Sequence, residues 1–210
     1  MPLEMTNRRY KLTGITPLLG SQPASRALRT EFIASKAPSP ADVEEEDNML
    51  GDIEERGLTV FLRDDNNDSL IMLDYMLRGY IKGALEGLVE QTGIKQPRSK
   101  VDRYVFTGPR RIPILRDGEE IIDEDDQLER PLRAETMRGP RVSLAASEMI
   151  DLPWSVELVV TLLPNPASKS SAPVTWEAIE TALDYGQFQG LGQWRNGGYG
   201  RFTWERVDAD

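Results

Sequence analysis

Hydrophobic and polar positions alternate first over Arg8 to Leu18, with Tyr10, Leu12 and Ile15 set against Arg9, Lys11 and Thr13. A period of two predicts a half-buried strand. Leu58 to Arg63 (LTVFLR) predicts a short strand, and Asp64 to Asp68 a turn, because Asp and Asn cap their own backbone. From Ser69 to Gln91 the period changes to that of a helix: Leu70, Leu73, Met76, Leu77, Tyr80, Ile81, Leu85, Leu88 and Val89. Gly79 and Gly83 interrupt that helix, which implies close backbone approach or a helix that starts only near Tyr80. Val101 to Phe106 and Ile112 to Leu115 read as strands, and Asp117-Gly118 as a hairpin turn. Leu128 to Ile150, broken by Pro131, Gly139 and Pro140, predicts at most a short strand at Val142 to Ala145. Trp154 to Leu163 predicts a buried strand. Val174 to Tyr185 predicts an amphipathic helix with Thr175 as N-cap, and Tyr199 to Val207 a last strand.

Between that helix and that strand lies the densest run of glycine: Gly190, Gly192, Gly197, Gly198 and Gly200, interleaved with Leu191, Trp194, Tyr199, Arg195 and Arg201. A glycine-rich turn can aim several amides at one anion, usually a phosphate. Arginines add charge, and aromatic faces add a place for a base to stack. The competing reading is a tight helix-to-strand connection with its aromatics in the core. Gly20 to Asp52 reads as a long excursion, first rich in Ser, Pro and Ala with a short helix over Arg26 to Ser35, then acidic.

Composition narrows the chemistry. The 210 residues contain no cysteine and no histidine. That removes disulfides, thiolate zinc sites, cysteine nucleophiles and a Ser-His-Asp triad. The formal net charge of -10 argues against a generic nucleic-acid binder. The charge is uneven, however: acidic runs at Asp42 to Glu55 and Asp117 to Glu129 contrast with clustered arginines, so a basic groove remains open. With no apolar run of membrane-spanning or signal-peptide length, a cytoplasmic protein without a membrane partner is expected.

With two insertions removed, at about 19–57 and about 108–153, the order is βαββαβ on one α+β domain spanning 1–210. That is the ferredoxin-like or RNA-recognition-motif arrangement. Two motifs then coincide on it. Gly190-Leu191-Gly192, five residues, and Gly198-Tyr199-Gly200 have the form G-h-G-x5-G-h-G before the last strand. Arg78 to Leu85 (RGYIKGAL) lies on the first helix. Together they resemble the glycine loop and the "PGSSIKGAL"-like motif of the RAMP superfamily of CRISPR-associated proteins. Leu18-Leu19-Gly20-Ser21 resembles that superfamily's turn after the first strand. Arg78 and Tyr80 depart from the superfamily's proline and small hydroxyl residue.

The insertions resemble those of the palm-and-thumb backbone subunits. The resemblance implies an RNA-binding structural subunit without catalytic residues, metal or cofactor. Its partners would be guide RNA, other subunits and copies of itself. The residues expected to touch nucleic acid are Lys82 and Arg78 at a helix N-terminus, Gly190, Gly192, Gly198, Gly200, Arg195, Arg201 and Trp194 in the loop, and Arg110 and Arg111. The last two, with Arg103, would lie on a thumb-like hairpin. One alternative is a metal-dependent target-RNA ribonuclease using Asp42, Asp47 or Asp52. Another is an acidic, phage-borne interaction or inhibitor protein on the same fold.

Overall fold

The computed structural model describes residues 4–24, 58–136, 139–167 and 170–207, with backbone alone over 131–136 and 139–144. Asp42, Asp47 and Asp52, the helix expected over 26–35 and Arg138 lie outside the described residues. The described chain is mixed α and β, rich in sheet and with few helices.

The largest sheet is built on β1 (Thr6–Gly14). Antiparallel to it on one side runs β13 (Ser155–Leu162), and on the other β14 (Phe202–Val207). The far edge of β13 carries β7 (Val105–Gly108) at one end and β9 (Leu115–Arg116) at the other. β9 turns into β10 (Glu119–Glu120) through Asp117 and Gly118, both at positive φ, as the Asp-Gly pair predicts. Pleating sends Tyr10 and Leu12 of β1 and Val156, Leu158 and Val160 of β13 to one buried face. Helices α1 (Asp74–Gly87) and α4 (Trp176–Asp184) pack there through Leu77, Tyr80, Ile81, Ala84, Ile179 and Leu183. Tyr80 donates its hydroxyl to the Ala182 carbonyl at 2.8 Å, tying the two helices together. On the opposite face Lys11 sits in register between Glu157 and Glu205, so its charge is balanced across strands.

The Leu70 to Leu73 run corrects the long-helix expectation. It is a strand, β6 (Leu70–Leu73), buried on both faces. Leu70 and Met72 enter the main core. Ile71 and Leu73 enter a second cluster with Ala24, Leu58, Val60 and Leu62. Spacings of three and four also fit this apolar run, and only two-sided burial selects the strand. β6 lies between β5 (Leu62–Arg63) and β8 (Arg111–Pro113). The helix therefore starts at Asp74, not at Ser69 or Tyr80. Gly79 and Gly83 lie inside it facing open space. Nothing lies within 4 Å of where a Cβ would stand on either, so no close backbone approach explains them.

A short helix α2 (Val89–Thr92) follows α1. Val101 to Tyr104 is not strand but the end of a helix, α3 (Pro97–Tyr104). The β-branched and aromatic residues favour strand, but Pro97 opens the first turn, where its missing N–H costs nothing.

The other correction is larger. In place of a short strand, two long ones form a hairpin, β11 (Asp126–Thr136) and β12 (Gly139–Ile150), antiparallel throughout. Near its base β12 also pairs with β4 (Leu58–Val60) and with β2 (Leu18–Leu19), while β3 (Gln22–Pro23) lies beyond β4. Further out, among the described residues, the ribbon has two strands, each with a free edge. Pro131 and Pro140 are tolerated on such edges because no ladder partner needs their missing N–H.

Candidate nucleic-acid interface

The Gly190–Gly200 loop starts where α4 ends and a 3₁₀ turn, Tyr185–Gln187, has passed. Thr175 caps α4 as expected, its hydroxyl accepting from the Ala178 N–H at 3.2 Å. The loop then closes on itself and on the connection after β1. Leu191 N–H donates to the Gly200 carbonyl at 2.9 Å and Gln193 N–H to Leu19 at 3.2 Å. Gly200 N–H donates to Pro17 at 2.7 Å, and Arg201 N–H to the Thr16 hydroxyl at 2.9 Å. Gly197 and Gly198 donate to Trp194 and Arg195 in a second 3₁₀ turn, Arg195–Gly197.

Gly190, Gly192 and Gly200 are required by this closure. Gly200 has φ +68, and a Cβ there would lie 2.0 Å from the Leu191 carbonyl oxygen. A Cβ on Gly190 would lie 2.3 Å from the Tyr199 oxygen. The loop glycines thus permit backbone-on-backbone packing. Six amides of the loop and its end, those of Leu191, Gln193, Gly197, Gly198, Gly200 and Arg201, are hydrogen-bonded within the chain.

Trp194 is 40 % exposed, at φ +48. Its ring stacks on Tyr199 with centroids 5.4 Å apart and planes 18° from parallel. The Arg130 guanidinium lies over the same ring at 4.8 Å. These contacts tie the base of the β11–β12 hairpin to the loop. Phe202, the first residue of β14, is fully buried edge-to-face against Tyr80 at 5.2 Å. Arg195 is exposed, and the Arg201 guanidinium lies against Gly198.

The other expected residues are placed differently. Lys82 is in the third turn of α1, not at its N-terminus, and pairs with Asp102 of α3. Arg78, one turn earlier on the same side of α1, keeps a buried Nε without a hydrogen-bond partner. Arg110 bonds Asp74 at 2.8 Å and lies over the Tyr75 ring. Arg111 reaches Asp64 at 3.3 Å and Asp65 at 3.0 Å. Arg103 belongs to α3. None of these three stands on a projecting hairpin, since the long hairpin is β11–β12. Half-exposed ion pairs of this kind contribute little and screen with salt.

Arg130 is the residue that sequence reasoning passed over. It sits on a strand that the prolines obscured, and no local pattern marks it. It is 7 % exposed, and its Nε and Nη1 have no hydrogen-bond partner. Burial pushes its pKa down. Among the described residues no three acidic side chains come together as a metal site.

No protein-family model matches the chain, and no curated protein matches it. Among solved structures, it is similar to a chain in the cryo-EM structure of the Type III-B Cmr-beta bound to cognate target RNA. Identity is 9 %, the TM-score 0.42, and the match covers 97 % of this chain. This chain spans 60 % of the length of that neighbour.

Proposed function

We propose that this chain is an RNA-binding structural subunit of a CRISPR-type ribonucleoprotein, on a RAMP-like fold. The strand order β14-β1-β13-β7, with α1 after β1 and α4 after β13 on one face, supports reading the core as ferredoxin-like βαββαβ. The observation that carries the function is the 190–200 loop. Its glycine spacing matches the superfamily's, it is bolted to the turn after β1, and its arginines are free of carboxylates. Elsewhere Arg8, Arg63, Lys82, Arg98, Arg110, Arg111 and Arg116 each reach an acid. Among the described residues Arg195 and Arg201 of the loop do not, and neither do Arg78 on α1, Arg9, Lys95, Lys100, Arg103 and Arg130. A loop rigid in its backbone and unneutralised in its side chains suits a strand held by its phosphates. Guide RNA would then supply sequence specificity by base pairing. The β11–β12 ribbon takes the role of a thumb reaching a neighbouring copy or subunit.

The test is binding of single-stranded RNA by wild type and by the triple variant R78A/R195A/R201A across a salt series. The variant is expected to bind more weakly and with a shallower salt dependence. Identical curves would sink the assignment.

The extensive internal neutralisation, with a net charge of -10, favours a second reading: an acidic interaction protein that keeps the fold and binds a basic partner. Purified protein that carries no RNA and captures a defined basic protein would select it. The ribonuclease alternative rests on Asp42, Asp47 and Asp52. Cleavage of RNA with Mg²⁺ or Mn²⁺, lost on substituting one of them, would be its signature. No helix among the described residues is long and apolar enough to cross a membrane.

A further inference from the structure

Three arginines among the described residues keep buried, unbonded guanidinium nitrogens: Arg78, Arg130 and Arg201. The chain does not lack acids to pair them with, since it has 35 Asp and Glu against 25 Lys and Arg. An unpaired buried charge is costly, and a chain ordinarily meets that cost with a carboxylate or a hydrogen bond. Arg130 is the extreme case. It is more than nine-tenths buried, with both Nε and Nη1 unsatisfied. The Trp194 ring at 4.8 Å attracts the face of the guanidinium. That contact does nothing for the N–H donors, which point outward in the guanidinium plane. Nε and Nη1 lie on different edges of the guanidinium, and unused in-plane donors match a phosphate or another planar or tetrahedral oxyanion. Arg201, the residue after the loop, has its guanidinium against Gly198 and its own Nε unbonded. Trp194, exposed at the surface, stacks on Tyr199 and covers one face of the Arg130 guanidinium.

We infer that the junction of the β11–β12 hairpin with the 190–200 loop is a phosphate subsite, held by Arg130. The site deepens the RNA-binding reading and rests on it for the source of the phosphate, an internal phosphodiester or a 5′-terminal phosphate. Binding there would couple the hairpin to the loop, because Arg130 belongs to one and Trp194 to the other.

The experiment has two arms. In the first, thermal unfolding is followed in inorganic phosphate and in chloride at equal ionic strength. Wild type is expected to melt higher in phosphate, R130Q to lose that difference, and R130K, which keeps charge without the planar fork, to retain part of it. No phosphate effect in wild type, or an equal effect in R130Q, overturns the site. Should R130Q not fold, a full wild-type phosphate shift in R130K overturns it instead. In the second arm, one short single-stranded RNA is titrated with a 5′-hydroxyl or a 5′-phosphate. R130Q is expected to bind about tenfold more weakly. Its salt slope should be smaller by about 0.7, the value of one single-strand phosphate contact. Loss with both RNAs assigns an internal phosphodiester, and loss only with the 5′-phosphate assigns the terminus. RNA binding with an unaltered slope in R130Q overturns this site and spares the RNA reading. A phosphate shift that R130Q loses, without RNA binding by wild type, keeps the site and removes that reading.

Discussion

At the scale of single residues, glycines in this chain have opposite reasons for being glycine. Gly200 is held at φ +68 with the Leu191 carbonyl where a Cβ would go. G200A is therefore expected to destabilise the protein by more than about 2 kcal/mol in urea unfolding. Gly79, exposed inside α1, has nothing nearby and an ordinary helical backbone. G79A should instead stabilise by about 0.5–1 kcal/mol, by narrowing the unfolded ensemble. Equal effects of the two substitutions would refute this division. If G79A is more stable yet binds RNA worse, the bare helix face is kept open for a ligand.

Glu148 is a second residue-scale case. It lies on β12, nearly buried, and its Oε2 accepts the Phe61 N–H at 2.7 Å. Desolvation pushes its pKa up, Glu124 adds to the rise, and the Phe61 bond opposes it. With the folded pKa above the unfolded one, the native state holds the proton more tightly. Stability contributed by this group is present at acid pH and is lost as pH rises through that window. E148Q still offers an oxygen to Phe61. It should flatten the acid-side gain and be the more stable protein at neutral pH. Parallel pH–stability curves for the two proteins would contradict the account.

At the scale of elements, the two helices on the sheet were legible to different degrees. α4 reads directly from its pattern, because a Thr N-cap, an acid in the first turn and apolar positions at helical spacing all agree. T175A should cost about 1 kcal/mol in unfolding free energy, from loss of the bond to the Ala178 N–H. An unchanged stability would mean that α4 is held by packing alone. α1 was readable only in part. Its apolar residues continue backward into β6 without a break, and neither a cap nor a turn residue separates Leu73 from Asp74. α3 and the β11–β12 hairpin were misread for one reason: local preference and tertiary demand disagree there. Val and Tyr end a helix because Pro97 starts one, and prolines occupy strands whose edges are free.

At the scale of the whole molecule, an acidic protein binding a polyanion needs its positive charge concentrated. Arg8, Arg63, Lys82, Arg98, Arg110, Arg111 and Arg116 are each paired with an acid, and Arg195 and Arg201 at the loop are not. If Arg78, Arg195 and Arg201 each meet a phosphate, R78A/R195A/R201A should lower the salt slope of RNA binding by about 2, at about 0.7 per contact. A slope unchanged by the triple variant would place the binding surface elsewhere.

The motif residues on α1 and in the glycine loop, the sheet strands β1, β13 and β14, and α4 followed from the sequence alone. Their periodicity and caps are local properties, carried by neighbours a few residues apart. Tertiary structure decided the rest. It made Leu70–Leu73 a strand by giving it two cores. It drew out a long hairpin through the β11–β12 ladder, whose outer edges are free among the described residues. It tied the amides of Gly200, Gln193 and Leu191 to Pro17, Leu19 and Gly200. It placed Arg130 over Trp194, a residue far from it along the chain. Which donors remain unpaired is a question about the folded chain as a whole, and the candidate phosphate site is the part of the answer that no stretch of sequence contains.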